Sequence, residues 1–480
     1  MNNVYPVKKG EVVELAIEKL GFGGRGIARI DGYTVFVHRA LPGSRVEARI
    51  TRRKKSHAEA DILSVIEPSP LAVPARCDHF GLCGGCLHQN LAYDAQLSSK
   101  HEQVREIFER TEHLRDLEIL APIPADPPYE YRNKMEYSFS NARWLNDDEI
   151  GTDAALDRFA LGLHIKGRFD RVLNIDRCHL QSEDGSRILV AAREAARESG
   201  IMAYSTKSHE GFWRFLLIRS GTNTGEWMVN LVTNEFEPGS MEERGAERVL
   251  NAIRACGAPV TTLLHGTTAS KSSVAYCENV RTITGDGIIR ETLLGLSFEI
   301  GPNTFFQTNT RQGERLFEEA LERGELTEES VVWDLYCGAG ALSLPIAKRT
   351  KQVIGIELIE EAVLLGRKNA AANGIENVSF LAADMKDVLG KRADLASLPE
   401  PDCVYLDPPR DGLHPDVLAS LARFRPARIV YVSCNPSTFA RDLDGLAVAG
   451  YDVHPVRPVD MFPHTAHIEC VTHLTRRAET

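Results

Sequence analysis

The chain has 480 residues, 43% of them hydrophobic and 26% charged, with a formal net charge of −11, which is enough length for two or three domains that each bury a core. That acidity excludes a uniformly basic polyanion binder, but the charge is uneven: residues 1–66 hold 12 Lys+Arg against 7 Asp+Glu, a balance of +5, leaving −16 for the remainder. No apolar run nears the roughly 20 residues of a membrane span and MNNVYPVKKGE has no apolar signal core, so a cytoplasmic protein is expected, whose 10 cysteines are thiols, metal ligands or catalytic groups.

The first segment reads as short strands punctuated by glycine: EVVELAIEKL, the loop GFGGRG, IARIDGYTVFVHRA, LPGSRVEARITRRKK and HAEADILSVIE. With no helical period across it, the pattern predicts a small antiparallel barrel of OB-like type. Its basic residues either meet phosphates or keep its surface solvated. EPSPLAVPA follows as a linker, then a helix from about Asp94 to Thr111, then APIPADPPYEYRNKMEYSFS, too rich in proline for helix. From about 130 to 300, strands such as FWRFLLIRS and EWMVNLVTN mix with helices such as RILVAAREAARES and EERGAERVLNAIRAC.

After residue 300 strand and helix alternate, which predicts a parallel, doubly wound sheet with its ligands at the carboxyl ends of the strands. The unusual residues stand at those ends. DLYCGAG, Asp334 to Gly340, supplies small residues at a strand-to-helix turn, although Ser343 occupies the third glycine position of a dinucleotide fingerprint. Glu357 ends the next strand, where a carboxylate can accept both hydroxyls of a ribose, and Asp384 in AADM ends the third, where it can accept an adenine amino group. This is the layout of S-adenosylmethionine enzymes of Rossmann-like fold.

The fourth strand ends in LDPPR, Asp407 to Arg410, a rigid loop holding a carboxylate at the pocket. Methyltransferases of exocyclic amino groups carry an aromatic after the prolines; Arg410 stands there instead, so a different activating group is required. VYVSCNP provides it in Cys434, at the end of the fifth strand. A thiolate that adds to carbon 6 of a uracil ring turns carbon 5 into a nucleophile, and a base must then remove the carbon-5 proton. PHTAHIECVTHL offers Glu469, with His464 and His467 nearby.

Taken in order, GPNTFFQTN, DLYCGAG, LDPPR, VSCNP and HIECV resemble the RNA uracil-5-methyltransferase family, and the resemblance runs over nearly the whole chain. It implies that Cys434 is the nucleophile and Glu469 the proton acceptor, and that Gln307, Tyr336, Glu357, Asp384 and Asp407 contact S-adenosylmethionine. Tyr336 replaces the more usual Phe, and Ala341 stands where relatives can carry Asn.

CDHFGLCGGCLHQ places Cys77, Cys83 and Cys86 within ten residues, suited to one metal centre with a fourth ligand from elsewhere, for which DRCHLQ offers Cys178. Spacing alone leaves zinc and an iron-sulfur cluster open. The resemblance implies a 4Fe-4S cluster, with a role in fold and RNA contact rather than redox chemistry. It also makes the barrel resemble the TRAM domain, an RNA-binding module, with GFGGRG and TRRKK meeting phosphates, and assigns YRNKMEYSF, Tyr131 to Phe139, to an RNA cleft. The expected organisation is multidomain α/β: an OB-like TRAM barrel over 1–66, a central α+β domain with the cluster over 67–300, and a Rossmann-like class I methyltransferase domain over 301–480, with about 96–125 packing against it. The expected partner is RNA, 23S ribosomal RNA favoured over the alternative, the T-loop uridine of transfer RNA (m5U54).

Overall fold

The computed structural model describes residues 5–146, 149–153, 157–385 and 398–478. Six strands from Val12 to Glu67 form the first sheet. Alternation drives it: in Arg45–Arg53 the residues Val46, Ala48 and Ile50 turn inward while Arg45, Glu47 and Arg49 face solvent. Its two edge strands, Val12–Ala16 and Lys19–Gly21, are successive pieces of one segment. Ile17 N–H donates to Ser44 O at 2.9 Å and Glu18 N–H to Ile27 O at 2.8 Å, which closes the sheet into a barrel. The antiparallel expectation fails in one ladder, where Tyr33–His38 runs parallel to His57–Glu67. The intervening strand Arg45–Arg53 crosses the barrel before the chain returns, so the two neighbours enter from the same end.

The helix Tyr93–Glu109 leaves the barrel and packs Val104 and Phe108 into the core of the C-terminal sheet, where Phe108 lies edge-on to Phe439 with centroids 6.1 Å apart. The central region is a seven-stranded sheet, with Lys134–Ser140 between Trp213–Ser220 and Ala160–Ile165. One face is covered by the helices Glu183–Glu198 and Met241–Ala255, which pack on each other.

In the C-terminal sheet the strands run Val378–Ala382, Gln352–Glu357, Val331–Leu335, Cys403–Leu406, Arg428–Ser433, then Glu469–Arg476 and Tyr451–Val453. The first five are parallel and Glu469–Arg476 is antiparallel to its neighbours. The order reverses between Val331–Leu335 and Cys403–Leu406, the switch point at which ligands bind open α/β sheets. Phe380 occupies the space of three absent side chains: a Cβ on Gly340, Gly355 or Gly366 would meet its ring at 2.8, 2.7 and 3.1 Å. Among the described residues, no helix is long and apolar enough to cross a membrane.

Candidate active site

The glycine turn after Leu335 is wound in the left-handed region, with Gly338 at φ 54° and Gly340 at φ 85°, which a Cβ disfavours. Asp334 is buried at the strand end and accepts from Ser343 Oγ. Burial raises its carboxyl to about 7, Ser343 opposing and the Asp407 and Glu357 charges adding to the rise. Glu357 accepts Gly338 N–H on one carboxylate oxygen at 3.1 Å and Ile359 N–H on the other at 3.0 Å. Each oxygen keeps acceptor capacity for a diol, so the group is aimed and still available. Tyr336, half-buried in the turn, and Asp384, half-buried beyond Ala382, stand at the same strand ends. Gln307 lies on the segment entering the helix Thr310–Arg323, where its carbonyl accepts from Asn133 Nδ2 at 2.8 Å. These groups fit an adenosyl ligand: acceptors for hydroxyls and an amino group, a ring to stack on, and backbone left open by glycine.

The second half of the site is set by strand register. Arg428–Ser433 pairs antiparallel with Glu469–Arg476, and Ser433 lies opposite Cys470. That pair ends the ladder, so Cys434, one residue past it, and Glu469, one residue before it, lie at the same sheet end, close enough for the Glu469 charge to act on the Cys434 thiol. Asn435 ends the strand, caps the helix Pro436–Val448 by accepting from Ser437 N–H at 3.1 Å, and donates from Nδ2 to Arg410 O at 3.0 Å. The LDPPR loop is thereby fastened to the residue after Cys434.

Electrostatics couple the corner. Burial raises the Cys434 thiol to about 11, the Glu469 and Asp407 charges adding to the rise and Arg410 opposing it. Burial lifts Glu469 to about 8, with Asp407 adding and Arg410 opposing. Asp407 is raised to about 7 by burial. Arg410 donates to His467 Nδ1 at 2.7 Å, and burial, then that guanidinium, hold His467 down at about 4. His467 is therefore a neutral acceptor at pH 7. This pair escaped sequence reasoning, which treated Arg410 only as the missing aromatic and His467 only as a neighbour of Glu469.

The four predicted metal ligands share a cavity wall without gathering at one point. Cys77, Cys83, Cys86 and Cys178 line one cavity of about 260 Å³, with Arg132 and His79 on its wall. Burial raises all four thiols, Cys83 to about 11 and Cys86 to about 12. Among the described residues no group of three or more His, Cys, Asp or Glu side chains is gathered closely enough to hold a single metal ion.

The barrel loop GFGGRG is only partly open. Gly24 O meets His88 Nε2 at 3.1 Å, while Phe22 is exposed and Arg25 pairs with Glu59 at 3.6 Å. In TRRKK, Arg53 covers the Tyr5 ring at 4.4 Å from its centroid.

Comparison with known proteins adds the identity. Residues 292–477 match the tRNA (uracil-5-)-methyltransferase family, and residues 6–63 match the TRAM domain. An RNA methyltransferase of Chlorobaculum tepidum is 39% identical over 97% of this chain and 96% of its own. One of Caldanaerobacter subterraneus is 38% identical over 96% and 98%. Among solved structures, the Pyrococcus abyssi tRNA (uracil-54, C5)-methyltransferase in complex with S-adenosyl-L-homocysteine superposes with a TM-score of 0.73 at 29% identity, covering 96% of this chain and 99% of that one. Matched from its barrel to its last strand, the chain belongs to the RNA (uracil-5-)-methyltransferases with a TRAM domain, enzymes dependent on S-adenosylmethionine.

Proposed function

We propose that the enzyme methylates carbon 5 of one uridine through a covalent bond between Cys434 and carbon 6. The observation that carries this is that the ladder ending at Ser433 and Cys470 leaves Cys434 and Glu469 at the strand ends that also carry Glu357 and Asp407. S-adenosylmethionine supplies an electrophilic methyl group when bound, held by Gln307, Tyr336, Glu357, Asp384 and Asp407. The Cys434 thiolate adds to carbon 6, and the ring electrons move through carbon 5 to the carbon-4 oxygen. Carbon 5 then takes the methyl group as the methyl carbon–sulfur bond breaks, its electron pair staying on sulfur to leave S-adenosyl-L-homocysteine. Glu469 accepts the carbon-5 proton, the double bond re-forms, and the carbon–sulfur bond breaks to return the thiolate. Burial lifts Glu469 to about 8 in the ligand-free protein, so it is the ionised fraction, favoured by Arg410, that takes this proton. Arg410, which favours the charged forms of both groups, helps Cys434 to ionise.

For the target, the likeness to an enzyme of uracil 54 in transfer RNA over 96% of the chain supports the T-loop alternative better than the 23S ribosomal RNA favoured from the motifs. The target base must leave its stack to reach the corner, and the TRAM barrel and Tyr131 to Phe139 serve RNA contact. In the same proposal, Cys77, Cys83, Cys86 and Cys178 hold a 4Fe-4S cluster that organises the central region, supported by their common cavity. The chain divides into barrel (1–66), central (67–300) and catalytic (301–480) domains.

The test uses an in vitro transcribed transfer RNA carrying 5-fluorouridine at position 54. Wild-type enzyme with S-adenosylmethionine should form a denaturation-resistant complex with it, and Cys434→Ala should form none and lose more than about 10³-fold in methylation, while binding S-adenosyl-L-homocysteine within about twofold of wild type. Trapping by the Cys434→Ala protein would overturn the nucleophile. Methylation of 23S ribosomal RNA but not of transfer RNA would overturn the target.

A further inference from the structure

The segment Asp460 to His467, which leads into Glu469, is held along its length by side chains outside its own strand. Three come from one face of the helix Tyr93–Glu109. Tyr93 Oη donates to Asp460 Oδ2 at 2.8 Å, and Lys100 Nζ donates to Asp460 Oδ1 at 2.6 Å and to Phe462 O at 3.1 Å. Between them, at the spacing that shares a helix face, lies Gln96, 2% exposed. Its Nε2 donates to His88 O at 2.9 Å and to Leu91 O at 2.8 Å and lies 3.2 Å from His464 Nδ1, and its Oε1 accepts His464 N–H at 2.9 Å.

His464 is an unusual residue to find there. It is buried, with φ at 65°, a conformation that costs a non-glycine residue about 1–3 kcal/mol and persists only where surroundings enforce it. The enforcement is visible. Its carbonyl accepts both Leu87 N–H at 2.8 Å and His88 N–H at 3.1 Å, from the two residues after Cys86, and its ring lies on Tyr129 with centroids 4.2 Å apart.

We infer that Gln96 is a positioning residue for Glu469: its carboxamide locks His464 into the left-handed turn and ties that turn to the segment after Cys86, so the order of the thiol cavity is transmitted to the catalytic base. The inference rests on Glu469 being that base, but the fixing of the turn does not. A glutamate at 96 keeps the shape and the acceptor while losing both N–H donors, and at neutral pH it turns a carboxylate toward the carbonyls of His88 and Leu91.

The experiment compares wild type, Gln96→Glu and Glu469→Gln as full-length proteins, first by amide hydrogen exchange and then in single-turnover reactions with transfer RNA. In Gln96→Glu, protection of residues 460–469 should fall by at least about tenfold, while the glycine turn 334–340 and the affinity for S-adenosyl-L-homocysteine stay at wild-type values. Unchanged protection of 460–469 overturns the inference regardless of mechanism. In the reactions, Glu469→Gln should accumulate a covalent protein–RNA adduct, and Gln96→Glu should accumulate it partially, with the single-turnover rate constant lowered about tenfold and the concentration for half-maximal rate within about twofold. Adduct with Glu469→Gln but none with Gln96→Glu overturns the positioning role alone. Adduct with neither variant overturns Glu469 as the base, and with it Gln96 as its positioning residue, even if the turn loosens.

Discussion

Two cysteine sites in this chain are built in opposite ways. Cys434 directly follows a buried strand, whose backbone ladder ends at the Ser433 and Cys470 pair, next to Cys434 and Glu469. Cys77, Cys83 and Cys86 share one irregular segment and Cys178 comes from a loop much later in the sequence, and among the described residues no ladder sets their mutual positions beyond an isolated bridge from Cys83 to Ile165. A site read off strand register is complete when the sheet folds. A site assembled from loops needs something inside it to repay the ordering of those loops.

The largest effect expected from this contrast is at Cys178. Cys178→Ser should abolish iron retention in anaerobically purified protein and lower its melting temperature, since metal binding is coupled to folding. Cys434→Ala should keep both at wild-type values. Iron content and melting temperature measured side by side decide it; equal iron in the two variants would break the comparison.

Lys100 gives the next effect. Lys100 and Asp460 form an ion pair with side chains only 5% and 1% exposed, and removing one partner of such a pair costs about 3–5 kcal/mol. Lys100→Met should therefore lower the unfolding free energy by about that amount in denaturant titrations, and the thiol cavity, fastened to the same segment through His464, should lose iron faster to a chelator. A loss below about 1 kcal/mol would mean that the segment is held by its other bonds alone.

The third is the narrowest in reach, a pH effect confined to the corner. Glu469 holds its proton up to about pH 8 in the folded protein and to only about pH 4.3 in the unfolded chain. Between those values the folded state binds more protons, so Glu469 makes stability fall as pH rises, and the slope ends above about 8. The unfolding free energy of ligand-free wild type should fall relative to Glu469→Gln across that window. A parallel pair of curves would show that Glu469 ionises in the folded protein as it does in water.

Much of this was legible in the chain itself because its signals are local. Alternation marked the barrel strands, and polar residues following apolar strands marked Glu357, Asp384, Asp407 and Cys434 in turn. The parallel ladder of the barrel was not, because it depends on where Arg45–Arg53 crosses and no residue advertises that. The stripe of Tyr93, Gln96 and Lys100 reads as an ordinary solvated helix face until the partner segment is known to arrive more than 350 residues later. Lys100 lies one turn before Val104 and two turns before Phe108 on the same helix face, so that spacing hints at its burial, but nothing near it in the sequence names Asp460 as its partner.

Gly24 shows what that segment means for the barrel. A Cβ there would come within 2.8 Å of the His88 ring and 3.2 Å of the Ala466 Cβ, so the barrel rests on the catalytic segment with only a hydrogen between them. The two halves of the enzyme are thus set like the jaws of a fixed gauge, and an RNA gripped by both must already match the gap in shape, with its target uridine turned out at the right distance from the barrel.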